Sequence, residues 1–125
     1  MPNYNHFYEL PVYAECRAFR KKVAALIKEK FPKSENFMLA SQLLRSSRSI
    51  TANIAEGFGR FHYQENIQFC RIARGSLSES KEHVITAMDE DYLDQKIVSE
   101  LDNEYKNCLK QLNAYINFLK KAKSQ

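Results

Sequence analysis

Three side chains near the middle of the chain could share acid–base chemistry. Glu56, Arg60 and His62 lie within the short stretch EGFGRFH. A carboxylate beside an imidazole can move protons when both groups face a bound substrate. Clusters of this kind at a helix end are far more often caps and ion pairs than catalytic groups. We therefore expect no enzymatic activity from this stretch.

The glycines and histidines give no stronger indication of chemistry. Gly57 and Gly59 form a GxG pattern, but it follows a predicted helix and lacks the Lys-Ser/Thr pair of a phosphate-binding loop, so it predicts a turn. His6, His62 and His83 do not have the spacing of metal ligands. The sequence therefore predicts neither a metal site nor a cofactor site.

The cysteines and the N-terminus indicate the compartment. Cys16, Cys70 and Cys108 are far apart, odd in number and placed on apolar helical stripes, which suits reduced core thiols better than a disulfide framework. The N-terminus has no basic start followed by an apolar run, and no stretch of about 18 apolar residues occurs. We therefore expect a cytoplasmic protein with no signal peptide and no membrane segment.

Hydrophobic spacing predicts four long helices. Of the 125 residues, 44% are hydrophobic, and only three Gly and three Pro interrupt the pattern, which favours one globular domain. Apolar residues three and four apart predict helices over residues 9–30, from a cap at Ser34 to about residue 56, over 63–88 and over 94–121. Gly57 would end the second helix in a left-handed conformation. The predicted fold is all-α, an antiparallel up-and-down four-helix bundle spanning residues 1–125.

The second predicted helix has an unusual face in the stretch RSSRSITANIAEGFGR. Between Glu35 and Glu56 the only charged residues are Arg45 and Arg48. Small polar side chains let another backbone approach closely and lose little entropy when covered. Either this face is merely polar and exposed, or it contacts another subunit or a partner. The residues predicted for a subunit contact are Ser41, Gln42, Ser46, Ser49, Ala52 and Asn53.

The third predicted helix carries a similar small polar stretch, GSLSES. Its glycine, Gly75, costs about 1 kcal/mol of helix propensity relative to Ala. Close packing of this stretch against another helix would offset that cost.

Two long motifs resemble a known family. QLLRSSRSITANIAEGFGR, followed by IQFCRIARGSLSES, is similar to the paired signature of the four-helix proteins encoded within intervening sequences of bacterial 23S ribosomal RNA genes. That family is related to the accessory variability determinant of diversity-generating retroelements. The resemblance covers nearly the whole chain from Tyr8. His62 departs from the family pattern, which often has Ser or Thr there, so the reciprocal cap with Glu65 is weakened.

The resemblance implies an assembly and a role. Members form up-and-down four-helix bundles that assemble as pentameric rings, which implies a homo-oligomer here. The role it implies is nucleic-acid binding or, as in the retroelement relative, partnership with a reverse transcriptase. No catalytic activity comes with it.

Charge is distributed very unevenly along the chain, although the net charge is only +4. Residues 17–74 hold 12 bases and 4 acids, residues 75–104 hold 2 bases and 9 acids, and residues 105–125 hold 5 bases and no acid. Part of this polarity stabilises helix dipoles, and the rest predicts a basic end and flank that would bind phosphates. The predicted nucleic-acid residues are Arg17, Arg20, Lys21, Arg45, Arg48, Arg60, Arg71, Arg74, Lys120 and Lys121.

The turn between the second and third helices is expected at the same end of the bundle as both termini, which would place Arg60 near Lys120 and Lys121. Phe58, Phe61 and Tyr63 flank Arg60. They could close the end of the bundle, which is the commoner role, or stack on unpaired bases.

Two functions follow from these patterns. One is a non-enzymatic, homo-oligomeric bundle that binds structured ribosomal RNA or DNA through its basic surface. The alternative is a protein-interaction scaffold, for example for a reverse transcriptase.

Overall fold

A computed structural model describes residues 4–125 and shows an all-α protein. Two short 3-10 turns, Phe7–Glu9 and Lys33–Glu35, precede the first and second helices. No strand is present in residues 4–125. The predicted all-α class with four helices is confirmed. The helices are α1 (Pro11–Lys30), α2 (Leu39–Gly59), α3 (Tyr63–Asp89) and α4 (Gln95–Ser124).

Each helix packs against two neighbours. Contacts join α1 to α2, α2 to α3, α3 to α4 and α4 to α1, and the described part of the chain makes no such contact across either diagonal. Because the connecting loops are short, consecutive helices run antiparallel. The line of contact between α1 and α2 and the line of contact between α3 and α4 therefore lie on opposite sides of the bundle.

The apolar stripes form the core, as their spacing predicts. On α1, Val12, Phe19 and Val23 are almost fully buried, and Ile27 continues the same stripe. Leu77 on α3 and Leu112 on α4 are fully buried at the centre of the same cluster. One continuous core therefore links the four helices.

The cysteines are core residues, as predicted. Cys16, Cys70 and Cys108 are all buried, and none forms a disulfide. Burial raises the pKa of Cys70 to about 12, while contact with the Cys108 thiol and burial raise the pKa of Cys16. The Cys16 and Cys70 thiols therefore remain protonated, and all three buried cysteines pack as small apolar side chains.

The small polar residues of α2 face α3 within the same chain. Ser46 Oγ lies 2.8 Å from Ser80 Oγ, and Ser49 Oγ lies 2.8 Å from Ser76 Oγ. Asn53 Nδ2 donates to the Ser49 carbonyl at 2.7 Å. We call this line of contact the α2/α3 serine seam. It satisfies buried hydroxyls that would otherwise be costly.

Gly57 extends the serine seam towards the end of α2. It is buried inside the helix, and an added Cβ would lie 2.8 Å from both Asn66 Oδ1 and Phe69 Cβ. The prediction that Gly57 ends α2 in a left-handed conformation is wrong, as is the turn predicted for the GxG pattern. The helix continues to Gly59, and the left-handed residue is Phe61, with φ 59°. Glycine is needed at position 57 because there is no room for a Cβ beside Asn66 and Phe69.

Gly75 does not pack against another helix. It is exposed, and an added Cβ there would meet no atom within 4 Å. The close packing predicted for its stretch involves the flanking Ser76 and Ser80 instead. The helix-propensity cost of Gly75 is therefore not offset within the protomer.

The helix starts differ in how they are capped. Ser34 does not cap α2, because a 3-10 turn intervenes and the Glu35 carboxylate accepts from the Leu39 N–H at 3.2 Å. His62 makes no side-chain cap for α3, in agreement with the weakened cap that was predicted. Asp94 caps α4 by accepting from the Ile97 N–H at 2.8 Å.

An ion-pair cluster joins α3 to α4. Asp102 lies 3.0 Å from Lys81 Nζ and 2.9 Å from Lys106 Nζ. Hydrogen bonds from Lys106 and then Lys81 lower the pKa of the Asp102 carboxyl. The cluster therefore favours the ionised carboxylate and stabilises the contact between the two helices near neutral pH.

Replacing Gly57 and Gly75 by Ala tests the serine seam. Gly57→Ala should lower the free energy of unfolding by about 1–3 kcal/mol, because the new methyl group would force α2 and α3 apart. Gly75→Ala should raise it by about 0.5–1 kcal/mol, because the site is open and helical. Urea unfolding followed by circular dichroism measures both. Equal stabilities of the two variants would contradict the close contact at Gly57.

Acid titration tests the Asp102 cluster. A carboxyl whose pKa is lowered by folding adds stability above its unfolded pKa of about 3.9, and this stability is lost as pH falls through the lower folded value. Asp102→Asn should therefore be less stable than the unmodified chain at pH 7, and the difference should shrink towards pH 3. Urea unfolding across this pH range measures it, and a difference independent of pH would refute the role of the ion pairs.

Candidate nucleic-acid interface

Five of the predicted cations lie on α1 and α2, two helices that pack against each other. Arg20 Nη1 donates to Thr51 Oγ1 at 2.7 Å, which sets the register of the two antiparallel helices. Arg17 lies one turn before Arg20 on α1, and Arg48 lies one turn before Thr51 on α2. Four of the five are exposed, and Arg20 is half-buried. We call this set the α1/α2 basic face: Arg17, Arg20, Lys21, Arg45 and Arg48.

The α1/α2 basic face keeps its positive charge. None of the ion pairs formed between residues 4 and 125 includes any of its five cations. On the same helix, Lys22 differs, because its Nζ lies 3.3 Å from Glu104 of α4. The face can therefore attract anions without first breaking an ion pair.

A second group of cations lies on the opposite side, along α3 and α4. Arg71, Lys120 and Lys123 line a hollow of about 330 Å³, and Lys123 Nζ donates to Gln64 Oε1. Further along the same contact, Arg74 Nη1 donates to Asn113 Oδ1 at 2.8 Å. We call this set the α3/α4 basic groove: Arg71, Arg74, Lys120 and Lys123. Lys121 is exposed on α4 but does not line this hollow. The single basic flank predicted from the sequence is therefore two surfaces on opposite sides.

Arg60 belongs to neither group. Its guanidinium lies 3.7 Å from carboxylate oxygens of both Glu56 and Glu65, and it stacks 5.1 Å from the centre of the Phe69 ring. Its charge is thus balanced by two acids across the turn between α2 and α3. The ion pair with Glu56 matches the capping interpretation of this stretch. As a contact for phosphate, Arg60 is weaker than the sequence indicated.

The residues predicted for a subunit contact fall into two groups. Ser46 and Ser49 lie in the α2/α3 serine seam, Ser46 is buried, and the half-buried Asn53 bonds to Ser49 within α2. The assignment of Ser46 and Ser49 to a surface between subunits needs correction, because they bond to α3 of the same chain. The other three remain on the outside of α2, each within about one turn of Arg45 or Arg48: Ser41, Gln42 and Ala52.

At the end of the bundle that holds the turn between α2 and α3, the aromatic residues Phe58, Phe61 and Tyr63 surround an open hollow instead of filling it. Phe58 is half-buried against the core, but Phe61 is 84% exposed and Tyr63 is 51% exposed. The prediction that all three close the bundle holds only for Phe58. The hollow has a volume of about 510 Å³, and its aromatic lining residues are Tyr4, Phe58, Phe61, Tyr63, Tyr115 and Phe118. We call it the aromatic hollow.

Polar groups also line the aromatic hollow, and the sequence did not identify them. Asn66 is 7% exposed, and its Nδ2 donates to Tyr115 Oη at 3.1 Å. Burial raises the pKa of Tyr115 to about 12. Gln111 lines the same wall. In the sequence, Tyr115 falls on the apolar stripe of its helix together with Leu112 and Leu119, so its hydroxyl gives no separate signal.

Among residues 4–125, no three His, Cys, Asp or Glu side chains are grouped closely enough to hold a metal ion. None of the described helices combines the length and the apolar character needed to cross a membrane.

Comparison with known proteins identifies relatives. Residues 8–114 match the family model described as 23S rRNA-intervening sequence protein. A crystal structure of a protein of unknown function from the S23 ribosomal protein family of Bacteroides thetaiotaomicron is similar, with a TM-score of 0.76 and 23% identity. The match covers 84% of this chain and 97% of the other. At this identity it shows the shared fold. No curated protein matches the chain.

Proposed function

Because the chain belongs to the family of 23S rRNA-intervening sequence proteins, we propose that it is a non-enzymatic, homo-oligomeric bundle that binds nucleic acid through the α1/α2 basic face. The observation that supports this most is the grouping of five cations, free of ion pairs among residues 4–125, on one side of α1 and α2. The three buried, reduced thiols of the protein suit a cytoplasmic site of action.

Phosphate recognition explains the composition of this face. Arg guanidinium groups donate in pairs to phosphate oxygens, and the neutralised phosphates release counterions. The nine acids between residues 75 and 104 lie on α3, on α4 or in the loop that joins them, whereas the α1/α2 basic face lies on the other two helices. Charge segregation of this kind orients a polyanion on the bundle.

Oligomerisation would strengthen a weak contact. One bundle offers only a few phosphate contacts, and a ring that repeats the face multiplies them through effective concentration. The pentameric ring that the resemblance implies is part of this proposal. Structured ribosomal RNA is the first candidate ligand, because the family takes its name from the 23S rRNA gene, and duplex DNA is the second.

A protein-binding scaffold is the second candidate function, for example for a reverse transcriptase. The observation that favours it is the exposed apolar surface of the aromatic hollow, because exposed aromatic residues are enriched in protein interfaces. The affinity of a protein interface with an apolar centre changes little with salt concentration, whereas the affinity for a nucleic acid falls steeply as salt concentration rises.

Fluorescence anisotropy with a labelled ribosomal RNA hairpin and a DNA duplex tests the basic face. Affinity should fall steeply between about 0.05 and 0.2 M salt. Arg45→Glu/Arg48→Glu should weaken binding at least tenfold and lower the salt slope by about 2, because two phosphate contacts are lost.

The matched control for this measurement is Lys96→Glu/Lys110→Glu, which makes the same change in net charge at exposed positions of α4. Its affinity for the hairpin and the duplex should stay much closer to that of the unmodified chain. If both double variants lose affinity equally, the effect comes from net charge and the face is not the site. If neither nucleic acid binds at low salt, the scaffold is the better account.

Light scattering of Ala52→Glu tests the subunit contact on the outside of α2. The unmodified protein should exceed the 14.6 kDa of one chain, and the variant should approach it, because a charge would be buried in the contact. Ser49→Glu is unsuitable, since Ser49 bonds to Ser76 within the protomer. A monomeric unmodified protein would refute oligomerisation, and an unchanged assembly in Ala52→Glu would move the contact to another face.

A further inference from the structure

Phe61 has a backbone conformation that is unfavourable for a bulky side chain. Its φ of 59° lies in the left-handed region, where Gly and Asn are favoured and bulky residues are uncommon. Its side chain is 84% exposed, so burial does not compensate for the strained backbone. Residues with strained backbones of this kind cluster at active sites and ligand-binding sites.

The ring of Phe61 stands at the mouth of the aromatic hollow. It lies 6.4 Å from the ring of Phe58, which forms the inner wall. The volume of about 510 Å³ is within the range of pockets that hold small ligands. A flat aromatic group entering the hollow would pass beside Phe61 and Tyr63.

We propose that the aromatic hollow receives an unpaired nucleobase of a single-stranded nucleic acid. The proposal rests on the proposed function and names the form of its ligand. Every base has a flat face that stacks on aromatic side chains, and sequence-specific recognition of RNA mostly uses bases splayed out in this way.

The hollow also offers hydrogen bonds to the edge of a base. The Asn66 amide donates to Tyr115 Oη, and no hydrogen bond between described residues uses the Tyr115 hydroxyl proton. With a pKa raised to about 12 by burial, Tyr115 keeps that proton at neutral pH. The hydroxyl can therefore donate to a ring nitrogen or carbonyl oxygen, and the Gln111 amide can donate or accept.

The aromatic hollow and the α3/α4 basic groove are lined by neighbouring residues. Tyr63 and Leu119 line the hollow, and the residues that follow them, Gln64 and Lys120, line the α3/α4 basic groove. The two sites therefore meet within one turn of the same two helices. A base in the hollow places the phosphates of its strand beside Lys120 and Lys123. This continuity of apolar and basic surface favours a nucleic-acid strand over an uncharged ligand.

Two single-stranded probes separate the base from the backbone. One is a labelled RNA dodecamer of mixed sequence, and the other has the same ribose–phosphate backbone without bases. Anisotropy at about 0.1 M salt should show tighter binding of the complete strand. Phe61→Asn should weaken that binding about 5- to 150-fold, the range that one base–aromatic stack contributes, and leave the abasic strand unaffected.

The variants are matched in chemistry. Asn tolerates the left-handed conformation, so Phe61→Asn keeps the backbone. Phe37→Asn makes the same change at a ring that is 95% exposed at the opposite end of the bundle, and it should bind both probes normally. Urea unfolding should show that both variants are folded.

The other outcomes each overturn the inference. If Phe61→Asn weakens both probes equally or neither, the hollow does not hold a base, although the proposed function stands as long as Arg45→Glu/Arg48→Glu weakens binding of the ribosomal RNA hairpin. If Phe61→Asn lowers the mass of the assembly in light scattering, the hollow holds part of a neighbouring copy. If the dodecamers, the hairpin and the DNA duplex all fail to bind, the inference and the proposed function both fail.

Discussion

The close approach of α2 to α3 is the constraint on which the rest of the structure depends. Gly57 leaves no room for a Cβ beside Asn66 and Phe69, and two serine pairs continue the contact along the helices. Close approach needs small side chains, and burial of their hydroxyls needs partners in register. This explains why Lys and Glu are missing from the side of α2 that faces α3. The helix can carry charge only where it faces away from α3.

That orientation places Arg45 and Arg48 on the outside of α2, and the bond between Arg20 and Thr51 brings the cations of α1 beside them. The α1/α2 basic face is therefore a consequence of how α2 packs. The α3/α4 basic groove lies on the other side of the bundle, next to the aromatic hollow. A nucleic acid could meet one surface through its phosphates alone and the other through phosphates and a base.

Periodicity predicted the four helices, the buried cysteines and the ends of α3 closely, because these depend on the spacing of apolar residues along one chain. It could not say what covers the small polar face of α2, since composition is the same whether the covering helix is in the same chain or another. The register of Ser46 on Ser80 is a property of the folded pair. Gly57 was predicted to end a helix because its usual role is conformational, whereas here the neighbouring Asn66 and Phe69 require its size. The exposure of Phe61 follows from its turn, and periodicity carries no information there.

Chemical protection of arginines most directly tests whether the α1/α2 basic face contacts nucleic acid. The protein would be modified with phenylglyoxal in the presence and absence of a ribosomal RNA hairpin, and each arginine would be quantified by mass spectrometry. The account predicts strong protection of Arg17, Arg45 and Arg48 and little change at Arg60, which is already paired with two carboxylates. Bound hairpin with equal modification of Arg17, Arg45 and Arg48 in both samples would contradict it.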